Sequence, residues 1–166
     1  MRILMVCLGN ICRSPTAHGV LEKLIKDKRL DDRLEVDSAG TGNFHVSEAP
    51  DSRATEAAHA RGYDLSRQRA RQVKSSDYEF FDLILAMDKT NLSDLYERCP
   101  PHCRHKLALF LSRSQSGLEE VPDPYWSGSS GFELVLDLAE EVLMKMLICS
   151  LITVLACRQT LDIFRQ

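Results

Sequence analysis

The stretch RILMVCLGNICRSPTAHG, residues 2–19, decides how the rest of the chain is read. Ile3 to Val6 is a continuous apolar run, the pattern of a strand buried on both faces. A packing account stops at Val6. Beyond it stand a cysteine, a leucine, a glycine-asparagine turn, a second cysteine, an arginine, a serine and a proline. Cys7 and Arg13 stand in a C-x5-R spacing, and Pro15 suits the first turn of a helix. A loop so placed lies at a strand's carboxyl end and a helix's amino end, the arrangement that binds anions in open α/β sheets.

The residue types between Cys7 and Arg13 fit that use. Backbone N–H groups from Leu8 through Gly9, Asn10, Ile11 and Cys12 to Arg13 can converge on a tetrahedral oxyanion, with Gly9 expected to allow tight curvature and Asn10 a left-handed conformation. Arg13 adds two parallel hydrogen bonds to the anion. The helix dipole, the arginine and the inward N–H groups all favour a thiolate at Cys7, which becomes a nucleophile aimed at bound phosphate. Ser14 is expected to donate its hydroxyl to that sulfur. A core cysteine alone would need neither the turn nor the arginine.

Outward from this loop, short apolar runs recur at Leu34–Val36, Leu83–Ala86 and Leu107–Leu111, separated by helical patterns at Ala17–Lys28, Ser52–Arg61 and Asn91–Glu97. Alternating strand and helix predicts an α/β domain with a small parallel sheet. After SGSSG, residues 127–131, Phe132, Val135, Leu136, Ala139, Val142, Leu143, Met146 and Leu147 mark the apolar face of an amphipathic helix laid over the sheet. LICSLITVLAC, residues 147–157, is apolar all round but shorter than the roughly 20 residues that cross a bilayer. The reading is one domain over residues 1–147 and an apolar C-terminal tail of unknown role over 148–166.

With 21 basic and 24 acidic residues, no global field draws the 166-residue chain to nucleic acid or to a membrane. Arg61, Arg67, Arg69, Arg71 and Lys74 cluster locally, but no aromatic residues interleave them, so a solvated helix face is expected. No charged leader or cleavage site precedes Ile3, and six cysteines are too sparse for a disulfide framework, so a reducing cytoplasm is expected. In RCPPHCRH, residues 98–105, Cys99 and Cys103 with His102 and His105 look like half a zinc site. With no second CxxC-like pair, a buried or incidental role is preferred, and no metal or cofactor is expected.

VCLGNICRSP at residues 6–15, DSAGT at 37–41, AMDKTN at 86–91 and DPYW at 123–126 together resemble the low-molecular-weight protein tyrosine phosphatases, in order over about residues 1–147. The resemblance implies a four-stranded parallel sheet flanked by helices on both faces, in a single-domain three-layer sandwich. It makes Cys7 the nucleophile, Arg13 the phosphate clamp and Asp123 the general acid. The chemistry asks for such an acid, since a departing phenolate needs a proton, and Asp123 lies between two prolines on a stiff loop. Asn10, Ser14 and Ser38 match a network that shapes the phosphate loop, with Gln68 standing where bacterial members usually carry a histidine. Phe44, Tyr125 and Trp126 match aromatic walls at the pocket mouth, with Leu8 on the rim, and such walls select a flat aryl phosphate. Expected partners are phosphotyrosine proteins or small aryl phosphates, with inorganic phosphate as product and inhibitor. Cys7 and Cys12, at opposite ends of one curled loop, are a candidate redox pair.

Two alternatives share the cradle. An arsenate reductase of the same fold would place resolving cysteines near Met87, where this chain has none. A phosphotyrosine-binding module without turnover would keep Arg13 and lose the nucleophile or the acid, and both are present.

Overall fold

The computed structural model describes residues 1–163; for Arg113 and residues 149–163 it gives the backbone alone. Four strands, β1 (Arg2–Cys7), β2 (Glu35–Gly40), β3 (Leu83–Ala86) and β4 (Leu107–Leu109), form one parallel sheet in the order β2-β1-β3-β4. The helices are α1 (Arg13–Asp27), α2 (Ser52–Ala60), α3 (Ser75–Phe80), α4 (Lys89–Arg98) and α5 (Gly128–Ile163). β1 has β2 on one side and β3 on the other, so the loop after it opens at the point where the strand order reverses. That is where an open parallel sheet leaves a crevice at its carboxyl edge.

Side chains of β1 alternate between two cores, as the period of a strand demands. Ile3, Met5 and Cys7 join residues of α1 and α5, including Val20, Leu21, Leu136 and Leu143. Leu4 and Val6 join Tyr78 of α3, Leu95 of α4, Cys99 and Cys103 on the opposite face. Both faces of the sheet are therefore covered, which explains the unbroken apolar run in the sequence.

Several boundaries differ from the sequence expectation, each for a physical reason. β2 runs on to Gly40 and not only to Val36, because Asp37, Ser38 and Gly40 serve the site and break the apolar run. α1 starts at Arg13, four residues before the periodic pattern begins, since Arg13, Ser14 and Thr16 are buried against the loop. β4 stops at Leu109, and Phe110–Arg113 continues as a 3₁₀ turn. α3 has no counterpart in the sequence pattern: it is six residues long and carries only Asp77 and Tyr78 into the interior. α5 takes in the whole SGSSG segment but its first serine and runs on without a break through residue 148. What is expected of the tail beyond that helix backbone lies outside the described residues. Among the described residues no helix is long and apolar enough to cross a membrane.

The basic cluster is not a solvated helix face. Arg61 pairs with Glu133, Asp137 and Glu140 along α5, and Arg71 pairs with Asp37 and Asp77. These two arginines tie elements of the fold together, while Arg67, Arg69 and Lys74 are exposed in the segment between α2 and α3.

The register sets Cys7 opposite Gly40 at the carboxyl edge of the sheet. Thr41 N–H donates to the Cys7 carbonyl at 2.9 Å and Gly42 N–H to that of Leu8 at 2.9 Å, so the loop rides directly on the end of β2. A Cβ at Gly40 would lie 2.6 Å from the Leu8 carbonyl oxygen, a backbone atom that cannot yield without moving the loop. Gly40→Ala is expected to lower stability by about 1–3 kcal/mol, the usual scale of overpacking. Urea unfolding checks this, and a variant as stable as the wild type would show that the loop does not depend on this close approach.

Candidate active site

The turn out of β1 is made at Asn10, the one loop residue in the left-handed region, with φ of 57°. Asparagine tolerates that conformation better than most residues. Three hydrogen bonds hold it there. Its N–H donates to Cys7 Sγ at 3.3 Å, its Nδ2 donates to Ser14 Oγ at 2.9 Å, and its Oδ1 accepts from Arg71 N–H at 3.0 Å. Gly9, expected to supply curvature, has no positive φ. Its missing side chain instead leaves room for His45, whose Cδ2 would stand 3.0 Å from an added Cβ.

Cys7 is 3% exposed, with its Sγ 3.1 Å from Ser14 Oγ. Because Asn10 already donates to that hydroxyl, its own proton is free to point at the sulfur or at the Ala39 carbonyl, 3.4 Å away. α1 opens with no side-chain cap and no acidic residue in its first turn, which leaves its amino end to an anion.

Arg13 reaches across the loop, 4% exposed. Its Nη1 donates to Asp88 Oδ2 at 2.7 Å and to the Val121 carbonyl at 3.1 Å, while Nη2 lies 3.5 Å from Asp123 Oδ2. Burial works against the guanidinium's charge. Cys7, the Asp88 hydrogen bond and Asp123 outweigh burial and raise its pKa above an already high value. Cys7, Arg13 and Asp123, the expected nucleophile, clamp and acid, thus meet at one place, contributed by the β1–α1 stretch and by the loop that precedes α5.

Cys7, Leu8, Gly9, Ile11, Cys12 and Arg13 form the floor of a cavity of about 320 Å³, and Phe44, His45, Asp123, Tyr125 and Trp126 form its walls. Phe44 and Trp126 are 71% and 89% exposed, so they are rim residues and not core. Tyr125 and Trp126 meet edge to face at 4.9 Å. Arg53, paired with Asp51, stacks on the Tyr125 ring at 5.3 Å and donates to its carbonyl at 3.1 Å, setting the wall from α2. Asn10 and Ser14, expected to touch the phosphate, lie behind the loop at 2% and 0% exposure and act as struts.

Gln68 does not reach Ser38. Its Nε2 donates to the Pro15 carbonyl at 3.1 Å, while His18 of α1 places Nδ1 3.2 Å from Ser38 Oγ. The imidazole of the network therefore comes from a helix whose sequence looks ordinary. Sequence reasoning misses Asp88, Arg71, Asp37, Arg53, His18 and His45. Asp88 sits inside the AMDKTN stretch that carries the resemblance, and its place just after β3 is the available signal.

The arrangement is that of an open α/β protein whose first strand and first helix enclose a tight loop with a buried cysteine at its start and a buried arginine at its end. The sequence model of the family described as low molecular weight phosphotyrosine protein phosphatase matches residues 2–157. A low molecular weight phosphotyrosine protein phosphatase of Schizosaccharomyces pombe is 40% identical over 134 residues, covering 80% of this chain and 85% of its own. A protein tyrosine phosphatase of Entamoeba histolytica, solved with Hepes in the active site, superposes with a TM-score of 0.86 at 40% identity, over 89% of this chain and 95% of that one. Wzb of Vibrio vulnificus, in complex with benzylphosphonate, superposes with a TM-score of 0.76 at 32% identity, over 87% and 95%. This chain belongs to the low molecular weight phosphotyrosine protein phosphatases.

The His18 contact has a consequence for stability. Burial lowers its pKa below the ordinary 6.5, against Asp37 and Glu22, which favour the charged form, and with Arg71 and Lys26, which oppose it. The folded state thus holds this imidazole neutral while the unfolded chain takes up a proton. Its contribution is complete above the unfolded pKa and is lost as pH falls from about 6.5 through the folded value. His18→Gln, which keeps a side chain able to bond Ser38, should flatten that loss. Urea midpoints at pH 7.5 and 5.5 test it: the wild type should drop more between the two pH values, and equal drops would remove His18 from the account.

Proposed function

We propose that this protein tyrosine phosphatase hydrolyses phosphotyrosine and other aryl phosphate monoesters through a cysteinyl-phosphate intermediate on Cys7. The observation that supports it most is the meeting of Cys7, Arg13 and Asp123 around one cavity. In this reading the ring of the substrate lies between Phe44 and the Tyr125–Trp126 pair, and the phosphoryl oxygens face the loop N–H groups from Leu8 to Arg13 other than that of Asn10, which is held by the Cys7 sulfur. The benzylphosphonate of the Vibrio relative, a tetrahedral group on an aromatic ring, is the same kind of ligand.

Cys7 Sγ attacks phosphorus as the thiolate. The P–S bond forms as the P–O bond to the aryl group breaks, and Asp123 gives its proton to the leaving oxygen. Arg13, oriented by Asp88 and the Val121 carbonyl, gathers the charge that builds on the equatorial oxygens. In the second step Asp123, now a carboxylate, takes a proton from water as that water attacks phosphorus. The P–S bond breaks, and the Ser14 hydroxyl and Asn10 N–H steady the departing thiolate. Inorganic phosphate leaves, and the same cradle makes it a competitive inhibitor. Every step uses groups of this chain, and a cytoplasmic setting would keep the thiolate reduced.

An arsenate reductase needs resolving thiols at this edge of the sheet. Residues flanking Met87 include no cysteine, and Cys99 and Cys103 pack in the core on the other face from Cys7.

Asp123 gives the sharpest test. Asp123→Asn should cost little with p-nitrophenyl phosphate, whose phenolate leaves easily. With phenyl phosphate or phosphotyrosine it should cost toward the upper end of the roughly hundred- to ten-thousand-fold typical of a general acid. Turnover across substituted phenyl phosphates should depend weakly on leaving-group pKa in the wild type and steeply in the variant. Parallel dependences would show that Asp123 only shapes its loop.

Cys12 lines the same cavity as Cys7, and burial, with Asp51, Cys7 and Asp123 adding to it, pushes its thiol up to about 12. Peroxide would oxidise Cys7 to the sulfenic acid, and Cys12 would then condense with it, releasing water and leaving a disulfide. Because the attacking thiolate is scarce, that condensation should be slow at neutral pH and quicken as pH rises. Peptide mapping after mild peroxide checks this: Cys7 found only as sulfinic or sulfonic acid, with Cys12 free at every pH, would remove the safeguard.

A further inference from the structure

The CPPHC segment has a partner that the sequence does not reveal. Cys103 and His102 lie in the 3₁₀ turn Pro101–Lys106, and α3 brings Glu79 against them. The Glu79 carboxylate, a ring nitrogen of His102 and Cys103 Sγ all lie within 4.8 Å of one another. His105 is not part of this group, and Cys99 donates its thiol to the Pro100 carbonyl at 3.4 Å. Lys106, a neighbouring cation, is turned to the main chain, its Nζ donating to the carbonyls of Tyr78 and Glu79 at 2.8 and 3.2 Å.

We propose that Glu79, His102 and Cys103 form a binding site for a borderline divalent transition metal of the Zn²⁺ class, separate from the phosphate cradle. One sulfur, one imidazole nitrogen and one carboxylate oxygen make a donor set that suits zinc and cobalt and excludes magnesium and calcium. Three protein ligands leave a fourth tetrahedral position for water. Bonds of about 2.0–2.3 Å at tetrahedral angles put donor atoms roughly 3.3–3.7 Å apart. His102 Nε2 and Glu79 Oε1 now hydrogen-bond at 2.7 Å, and both side chains are more than half exposed, so they can part by that amount while Cys103 stays fixed at 1% exposure. When the ion binds, the sulfur–metal bond replaces the S–H bond and the thiol proton passes to solvent.

The place of the site sets what an ion would do there. α3 leads into the amino end of β3, and the 3₁₀ turn leads directly into the amino end of β4. Cys7, Arg13 and Asp88 all lie at or beyond the carboxyl ends of the strands. An ion therefore staples two connecting segments at the edge of the sheet away from the chemistry, adding stability without entering the reaction.

Cobalt titration of the reduced full-length protein tests the site, because a thiolate ligand gives a charge-transfer band in the near ultraviolet. The wild type should develop that band and release one proton for each ion bound, and Cys7→Ser should do the same with unchanged affinity. His102→Ala, an exposed change that leaves the core intact, should weaken binding at least tenfold, and Cys103→Ser should abolish the band. No band at millimolar cobalt, loss of the band in Cys7→Ser, or its survival with wild-type affinity in His102→Ala would each overturn the proposal.

Discussion

The site depends on one backbone turn, the left-handed residue at Asn10, and on what holds it there. Its side chain bonds Ser14 on one side and the Arg71 backbone on the other, and its N–H bonds the Cys7 sulfur. A residue that satisfies all three partners at once, two through its side-chain amide and one through its backbone, fixes the loop's path more firmly than its modest conformational preference would. Arg71 is in turn clamped by Asp37 at the entry to the β2 segment that carries Ser38 and Gly40, and by Asp77 of α3. The turn is thereby tied to a half-buried arginine with two carboxylates, and through it to the sheet and to a helix on its far face.

The same logic governs the charge on Arg13. A buried guanidinium is costly unless it is paired and hydrogen-bonded. Asp88 and the Val121 carbonyl supply that pairing through Nη1, while Nη2 lies toward Asp123. Asp88 also caps α4 by accepting from Asn91 N–H at 2.7 Å, so the residue that orients Arg13 is fixed by the start of a helix. Arg13 is held from a strand end on the other side of the crevice, which is why the strand order matters to the proposed chemistry.

Much of this is legible in the sequence because the first strand is buried on both faces and the cradle comes after it without interruption. Ile3–Val6, Cys7, Arg13 and Pro15 all stand where their spacing places them. The remainder is hidden for different reasons. Asp88, Arg71 and His18 act through partners distant in the chain, and nothing local separates them from surface residues. Arg71 sits among five basic residues that look alike, and only the fold reveals that its carboxylates come from β2 and α3. α3 itself is too short to show a period. Gly9 and Gln68 take their expected roles from position in a motif, and packing gives each a different neighbour.

The central claim is that phosphate passes through Cys7. Rapid quenching of the reaction with p-nitrophenyl phosphate, with proteolysis and mass spectrometry of the quenched protein, tests it most directly. Phosphate should appear on the peptide carrying Cys7, on the sulfur itself, during the first turnover and decay as inorganic phosphate is released. Phosphate on any other residue, or an unmodified Cys7 at every quench time through a burst of p-nitrophenol, would contradict the account.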